Sequence, residues 1–386
     1  MMTALFWTGV LWIGYVYIGY PLVLAVLARV GRRVHPVIKD DFLPNVSVLI
    51  SARNEEKDIG WKVTETLEWD YPRDRLEVLV ASDASEDRTD EILLGIEDSR
   101  LKPVRMEHRG GKCVALNRLA QLAQGELLFF TDANAHIPAR CLKWMTRHFA
   151  DTRVGCVTGM TSARPGVDLA IETGGRLYLG YETTISQLES RLGSVLVCDG
   201  AIFCIRRSLF QPVFPEVAND LELPMRIGDG GYWVVHEPAA TVFEKETNSP
   251  QEEFARRRRI CGQGLLAMWK FRGTLRGRRG WQFVSRKFLR WLTLIPLVLV
   301  LISSAALAGQ PFFALVLTLE LVFYGLAMVG WVLALKGRKA GHAFSVPFFV
   351  MLGSVAAFVG VVDTCLGRRF AVWEVPTLSR GREEGT

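Results

Sequence analysis

Hydrophobic residues make up 49% of the 386 residues and the mean hydropathy is positive, which excludes an ordinary soluble protein while leaving room for one large or two modest globular units. Seven scattered cysteines without a C-x-x-C pattern suggest neither a zinc site nor a disulfide framework and suit a reducing cytoplasmic domain. The net charge of +6 collects beside the apolar segments, so anionic lipid headgroups or a phosphate ligand are the expected partners, not nucleic acid.

The first element is a membrane span. From Ala4 to Leu27 there is no charge, enough for one helix across a hydrocarbon core of about 30 Å. It lacks a basic n-region and exceeds a typical signal-peptide core, so it reads as an anchor. Three more candidate spans lie at Phe288–Leu307, Phe312–Leu335 and Phe344–Leu366. Basic residues follow the first span (Arg29, Arg32, Arg33, Lys39), crowd residues 256–290, and separate the third and fourth (Lys336, Arg338, Lys339). By the positive-inside rule these loops face the cytoplasm. Four full spans then leave Arg368, Arg369 and Arg380 outside, so either the last segment is re-entrant or the rule fails there.

Between the spans, short apolar runs alternate with stretches of helical length, the pattern of a mostly parallel α/β sheet. The runs are VSVLISA (46–52), LEVLVASD (76–83), VRMEH (104–108) and ELLFFTD (126–132). The helical stretches begin at Glu55, near Thr89 and at Gly111. Beyond them come a strand-like GCVTGM (155–160), a long helix to Ser190, VLVCDGAIFCIRR (195–207) and a Pro-containing helix, DLELPMRIG (220–228). GYWVVHEPAATVFE reads as two short strands broken at Pro238, and residues 251–270 as an interfacial amphipathic helix. The expected division is an anchor (1–30), a cytoplasmic domain (31–249), interfacial helices (250–287), about three spans (288–367) and a polar tail (368–386).

Ligands bind beyond the carboxyl ends of such strands. Polar residues stand there: Arg53-Asn54-Glu55, Asp83 and Asp132-Ala133-Asn134. There is no Walker A loop and no G-x-G-x-x-G, which leaves a nucleotide held by side chains and a hard divalent cation. Asp132 and Asn134 both offer oxygen, although Asp and Asn are also ordinary turn residues. Lys112 opens a helix after Gly110-Gly111, a place that favours an anion. Asp220, an acid at a helix start, is a candidate base, or simply a favourable helix N-terminal charge.

In order, VSVLISARNEEKDI, VLVASDASEDRTDEI, GGKCVALNRLAQLAQGELLFFTDANA, CDGAIFCIRRSLF, NDLELPMRIGDGGYWVVHEPAA and RRRRICGQG resemble the membrane-bound family 2 glycosyltransferases, which include cellulose, chitin, hyaluronan and poly-N-acetylglucosamine synthases. The resemblance implies a GT-A fold and a nucleotide-sugar donor, a UDP-sugar first. It implies that Ala52, Arg53, Glu55, Asp83, Lys112 and Asp132 bind the donor, and that Asp132 and Asn134 hold Mg2+ or Mn2+. Asp220 would be the base of an inverting transfer, with Asp199, Arg256 and Arg259 near the acceptor or diphosphate.

Three positions depart from the family pattern. Asn134 replaces the second acid of the metal motif, Asn219 the Glu of the Glu-Asp pair, and Arg256-x-x-Arg259-Ile260 the Gln-x-x-Arg-Trp of processive synthases. The expected function is transfer to a growing cell-surface polysaccharide or glycan at the plasma membrane. One-sugar transfer to a polyprenyl phosphate or glycolipid is the alternative, and a catalytically idle regulator of a synthase is a third reading. A transporter fits poorly, since only Glu320 and Asp363 stand out as ionisable residues within the spans. Three C-terminal spans are few for a channel, which leaves room for a homo-oligomer or an accessory export subunit.

Overall fold

A computed structural model describes residues 1–31, 33–162, 170–243, 249–273, 276–338 and 341–370, with residues 170–177 described in backbone only. Arg32, Lys339, Arg380 and the tail beyond 370 lie outside the described residues.

In chain order the elements are α1 (Met2–Val30), β1 (Val46–Ala52), α2 (Ile59–Leu67), β2 (Leu76–Ser82), α3 (Thr89–Leu94), β3 (Leu101–Arg105), α4 (Lys112–Leu122) and β4 (Leu127–Asp132). There follow α5 (Cys141–Thr146), β5 (Val154–Thr161), α6 (Ala170–Ser190), β6 (Phe203–Arg206), α7 (Asn219–Asp229) and β7 (Trp233–Val242). The chain continues with α8 (Pro250–Lys270), α9 (Gly277–Trp291), α10 (Leu294–Ala306), α11 (Pro311–Leu335) and α12 (His342–Cys365).

Among the described residues, seven strands form one sheet in the order β3-β2-β1-β4-β6-β5-β7. Only β6 runs antiparallel to its neighbours. Successive side chains of a strand face opposite sides. Val46, Val48 and Ile50 therefore pack with Ile59 and Val63 of α2, while Leu49 joins Leu116 and Leu119 of α4. Burial on both faces explains why these strands are continuous apolar runs rather than alternating ones. Ala52 pairs with Ser82, and Ser51 with Asp132, so β1, β2 and β4 end together.

Several boundaries differ from the sequence reading. The third strand begins at Leu101, earlier than VRMEH, because Val104 and its predecessors pair with β2. Helix α2 starts at Ile59 rather than Glu55, since Asn54 takes a left-handed φ of 52° and turns the chain first. Of VLVCDGAIFCIRR, only the last residues form a strand, because Asp199 and Ile202 close a turn ahead of it. Residues 233–242 form one strand, not two. Pro238 falls where His236 and Thr241 flank a register shift against β5, a bulge that needs no ladder donor from proline.

Among the described residues, α1, α11 and α12 are long and apolar enough to cross a membrane. The expected span at Phe288–Leu307 is not one straight helix. It divides between α9 and α10, which meet at a bend of 57° and would make a fourth span only as a pair. Helix α8 is more than an interfacial helix, for Cys261 and Leu265 are buried with Ala357 and Val361 of α12. A Cβ on Gly360 would come within 2.2 Å of the Arg258 carbonyl oxygen, so glycine sets how closely these two helices approach. Glu320 bonds Ser304, and Asp363 pairs with Arg258 and Arg368, which accounts for both ionisable residues of the spans.

Helix α7 joins the two parts. Leu223 and Ile227 pack under the sheet, whereas Leu221 and Met225 pack with Leu265 of α8 and Trp291 of α9. The acid at its start, Asp220, therefore lies between the sheet and helices α8 and α9.

Candidate active site

The loops after β1 and β2 support one another. Asp83 N–H donates to the Ala52 carbonyl, and Arg53 donates to the carbonyls of Asp83 and Ala84 while pairing with Glu86. Ala84, like Asn54, is left-handed, at φ 51°, and Ser85 receives the Asn54 N–H. Glu55 begins the turn into α2, with its N–H on Thr89 Oγ1. The two loops thus make one rim.

Asp83 is buried, and its two carboxylate oxygens accept the N–H groups of Gly110 and Gly111 at 2.7 and 2.9 Å. Gly111 has φ 83°, a conformation open to glycine, and it delivers the chain to Lys112 at the first turn of α4. Lys112 Nζ then meets Asp132 Oδ1 at 2.5 Å. Burial works against the ammonium, but the Asp132 and Asp220 carboxylates outweigh it and raise its pKa.

Asp132-Ala133-Asn134-Ala135 is a β-turn closed by Ala135 N–H on the Asp132 carbonyl at 3.2 Å. The turn reading and the site reading are therefore compatible. One oxygen of Asp132 engages Lys112, and the side chain is 32% exposed beyond the strand end.

Asp220 opens α7, and burial pushes its carboxyl above the ordinary carboxylate range. Lys112 opposes that shift, whereas Asp199 and Asp132 reinforce it. The charges of Lys112, Asp132 and Asp199 thus all bear on Asp220. Asp199 accepts the N–H groups of Thr161 and Ala201, so its carboxylate holds the turn that precedes β6. Burial lowers the pKa of Arg259, Arg256 adds to this, and the charges of Asp220 and Asp132 act against it. Arg256 is half-exposed and pairs with Glu253 at 3.6 Å. Asn219 is buried with no hydrogen-bond partner for Nδ2.

Among the described residues, no group of three or more His, Cys, Asp or Glu side chains could cage a metal alone. Asp132, part-exposed at the end of β4, offers a carboxylate oxygen to a hard cation whose other ligands would be phosphate oxygens and water.

Residues 47–214 match the model of glycosyl transferase family 2. A probable glycosyltransferase of Bacillus subtilis, YdaM, is 28% identical over 264 residues, covering 64% of this chain and 57% of that protein. A beta-monoglucosyldiacylglycerol synthase of Synechocystis is 37% identical over 118 residues, covering 30% of this chain and 25% of that one. The matched stretches thus span little over half of one relative and a quarter of the other.

Among solved structures, a mannosyltransferase from Pyrobaculum calidifontis, in complex with GDP-Man and Mn2+, shares the fold at a TM-score of 0.69 and 22% identity, over 92% of this chain and 99% of that one. The shared fold and the family match over residues 47–214 agree on a GT-A-like domain. This chain carries a glycosyl transferase family 2 domain, with apolar helices before and after it.

One cluster escaped the sequence reading. Arg286 on α9 pairs with Glu189 and, at 2.9 Å, with Glu182, both on α6, and Arg290 also pairs with Glu182. Tyr20 of α1 donates to Glu189 at 2.7 Å. The signal was available as acids seven residues apart on one helix and arginines four apart on another, each pair lying on one face.

Proposed function

We propose that the chain transfers a single sugar from a nucleotide-sugar to a membrane-lipid acceptor, with inversion at the anomeric carbon. The observation that carries this reading is the position of Asp220, between the sheet and helices α8 and α9 that lead into the apolar spans. An acceptor presented from the bilayer meets the base there.

In this reading the rim of Ala52, Arg53, Glu55 and Asp83 receives the nucleoside. Lys112 and Arg259 face the diphosphate. Asp132 and Asn134 hold Mg2+ or Mn2+, which supplies charge neutralisation to the leaving nucleoside diphosphate. Asp220 takes the proton of the acceptor hydroxyl as its oxygen attacks the anomeric carbon, and the bond to the diphosphate breaks. Inversion follows from one such displacement. Arg256 and the exposed Ile260 stand where processive synthases carry Gln and Trp, which removes an aromatic platform for a sugar chain. The glucosyldiacylglycerol in the name of the Synechocystis relative, a sugar joined to a lipid, supports the same choice.

The deciding experiment incubates membranes containing the chain with labelled UDP- and GDP-sugars. One organic-extractable product is expected. A ladder of lengthening products would restore the growing polysaccharide, and no cation-dependent transfer from any donor would favour the idle regulator. The proposed topology places the domain on the cytoplasmic side of the plasma membrane, and a cysteine-labelling map from each side checks it.

A further inference from the structure

Helix α2 lies behind the turn that presents Asp132 and Asn134, and two of its side chains reach the exit of that turn. Lys62 is 0% exposed, and its Nζ donates to the Ala135 carbonyl at 2.5 Å. Glu65, one helical turn on, accepts the Ile137 N–H at 3.2 Å and pairs with His136 Nδ1. Lys62 and Glu65 stand 3.8 Å apart, and the ammonium lies over the Trp69 ring at 5.7 Å.

A fully buried ammonium is costly, and replacing a buried ion pair as a whole with apolar side chains of similar volume is often neutral or stabilising. Stability therefore gives a weak reason for a lysine at this position. Its grip gives a better one. Ala135, whose carbonyl Lys62 holds, is also the residue whose N–H closes the turn on Asp132, and Glu65 fixes the next two residues. One helix thereby sets the path of the backbone from residue 135 to 137.

We propose that Lys62 and Glu65 are positioning residues for the cation and diphosphate site, clamping the turn so that the oxygens of Asp132 and Asn134 are held in place. This rests on the reading that those two residues hold the cation. Neither member of the clamp needs to touch the ligand. Groups that orient metal ligands from behind typically change metal affinity by about 10–100-fold when removed.

The test uses the full chain in detergent, titrated with Mn2+ in the presence of UDP and, separately, GDP, with free Mn2+ followed by electron paramagnetic resonance. Lys62→Met and Glu65→Ala should weaken Mn2+ binding on the order of tenfold, with circular dichroism unchanged. Glu65→Gln retains an acceptor for the Ile137 N–H and should bind close to the parent. Asp132→Ala should lose Mn2+ binding altogether.

Parent-like Mn2+ affinity in folded Lys62→Met and Glu65→Ala would overturn the clamp while leaving the site in place. Should Lys62→Met fail to fold, Glu65→Ala against Glu65→Gln decides alone. Parent-like binding in Asp132→Ala would overturn the site reading itself, and the clamp with it.

Discussion

Gly200 lies against the carboxylate of Asp220: a Cβ at position 200 would stand 3.0 Å from Asp220 Oδ2. An alanine there would press the acid aside by a few tenths of an ångström. In the proposed mechanism Asp220 must reach the acceptor hydroxyl, and small displacements of a catalytic group are expensive. Gly200→Ala should therefore lower kcat by roughly tenfold to a hundredfold, with nucleotide binding nearly unchanged. Steady-state kinetics beside a nucleotide-binding titration measures the two effects separately.

Lys112 and Asp132 form a 2.5 Å ion pair that a bound diphosphate and cation would rearrange. Lys112 would turn to the phosphates, and Asp132 to the cation. Lys112→Met should keep cation-dependent donor binding while losing about 10²–10³ in turnover, the range for removing one preorganised charge. Asp132→Ala should lose both. Equal loss of binding in the two variants would contradict the division of labour.

How much of this was legible in the sequence depended on periodicity. The runs 46–52, 76–83 and 126–132 are legible because strands buried on both faces are uninterrupted apolar segments, and Asp83 and Asp132 stand where those strands end. The bulge at Pro238 and the bend between α9 and α10 escaped, because each is set by a neighbouring element rather than by local preference. Asp83 and Asp199 also make contacts that the sequence does not announce. In the fold both carboxylates hold backbone N–H groups, and such contacts between distant loops leave no periodic trace. Lys62 read as one more polar helix residue, since burial of a lysine depends on which face the sheet covers.

The cluster of Arg286, Arg290, Glu182 and Glu189 fastens α6 to the start of the bent pair, with Tyr20 adding the first span. Removing one partner of a buried pair leaves a charge without compensation, at a cost of about 3–5 kcal/mol. Glu189→Gln should lower the melting midpoint in detergent markedly. Adding Arg286→Met should recover part of the loss, because the stranded guanidinium goes with it. A double-mutant cycle on the melting midpoints reads the coupling.

The raised pKa of Asp220 sets the sign of the pH dependence. A base must be ionised, so activity falls as pH drops through the Asp220 pKa, and this acid limb should lie above the range of an ordinary carboxylate. Asp199 reinforces the shift as a like charge. Asp199→Asn should therefore move the limb to lower pH, which pH–rate profiles at saturating donor would show. Asp220→Asn should abolish turnover at every pH and still bind nucleotide.

His236 supplies a separate pH dependence, in stability. It is buried in β7 with neither ring nitrogen hydrogen-bonded, and burial lowers its pKa from 6.5 to about 4. Glu237 opposes the shift, too weakly to reverse it. Because the folded-state value is the lower one, the unfolded chain takes up the proton first as pH falls. Stability is thus intact above about 6.5, declines from there to about 4, and loses nothing further from this group below that. The melting midpoint of the full chain in detergent should fall across that window. In His236→Phe, which keeps an aromatic ring and removes the titration, the decline should flatten; an unchanged slope would assign the acid sensitivity to another group.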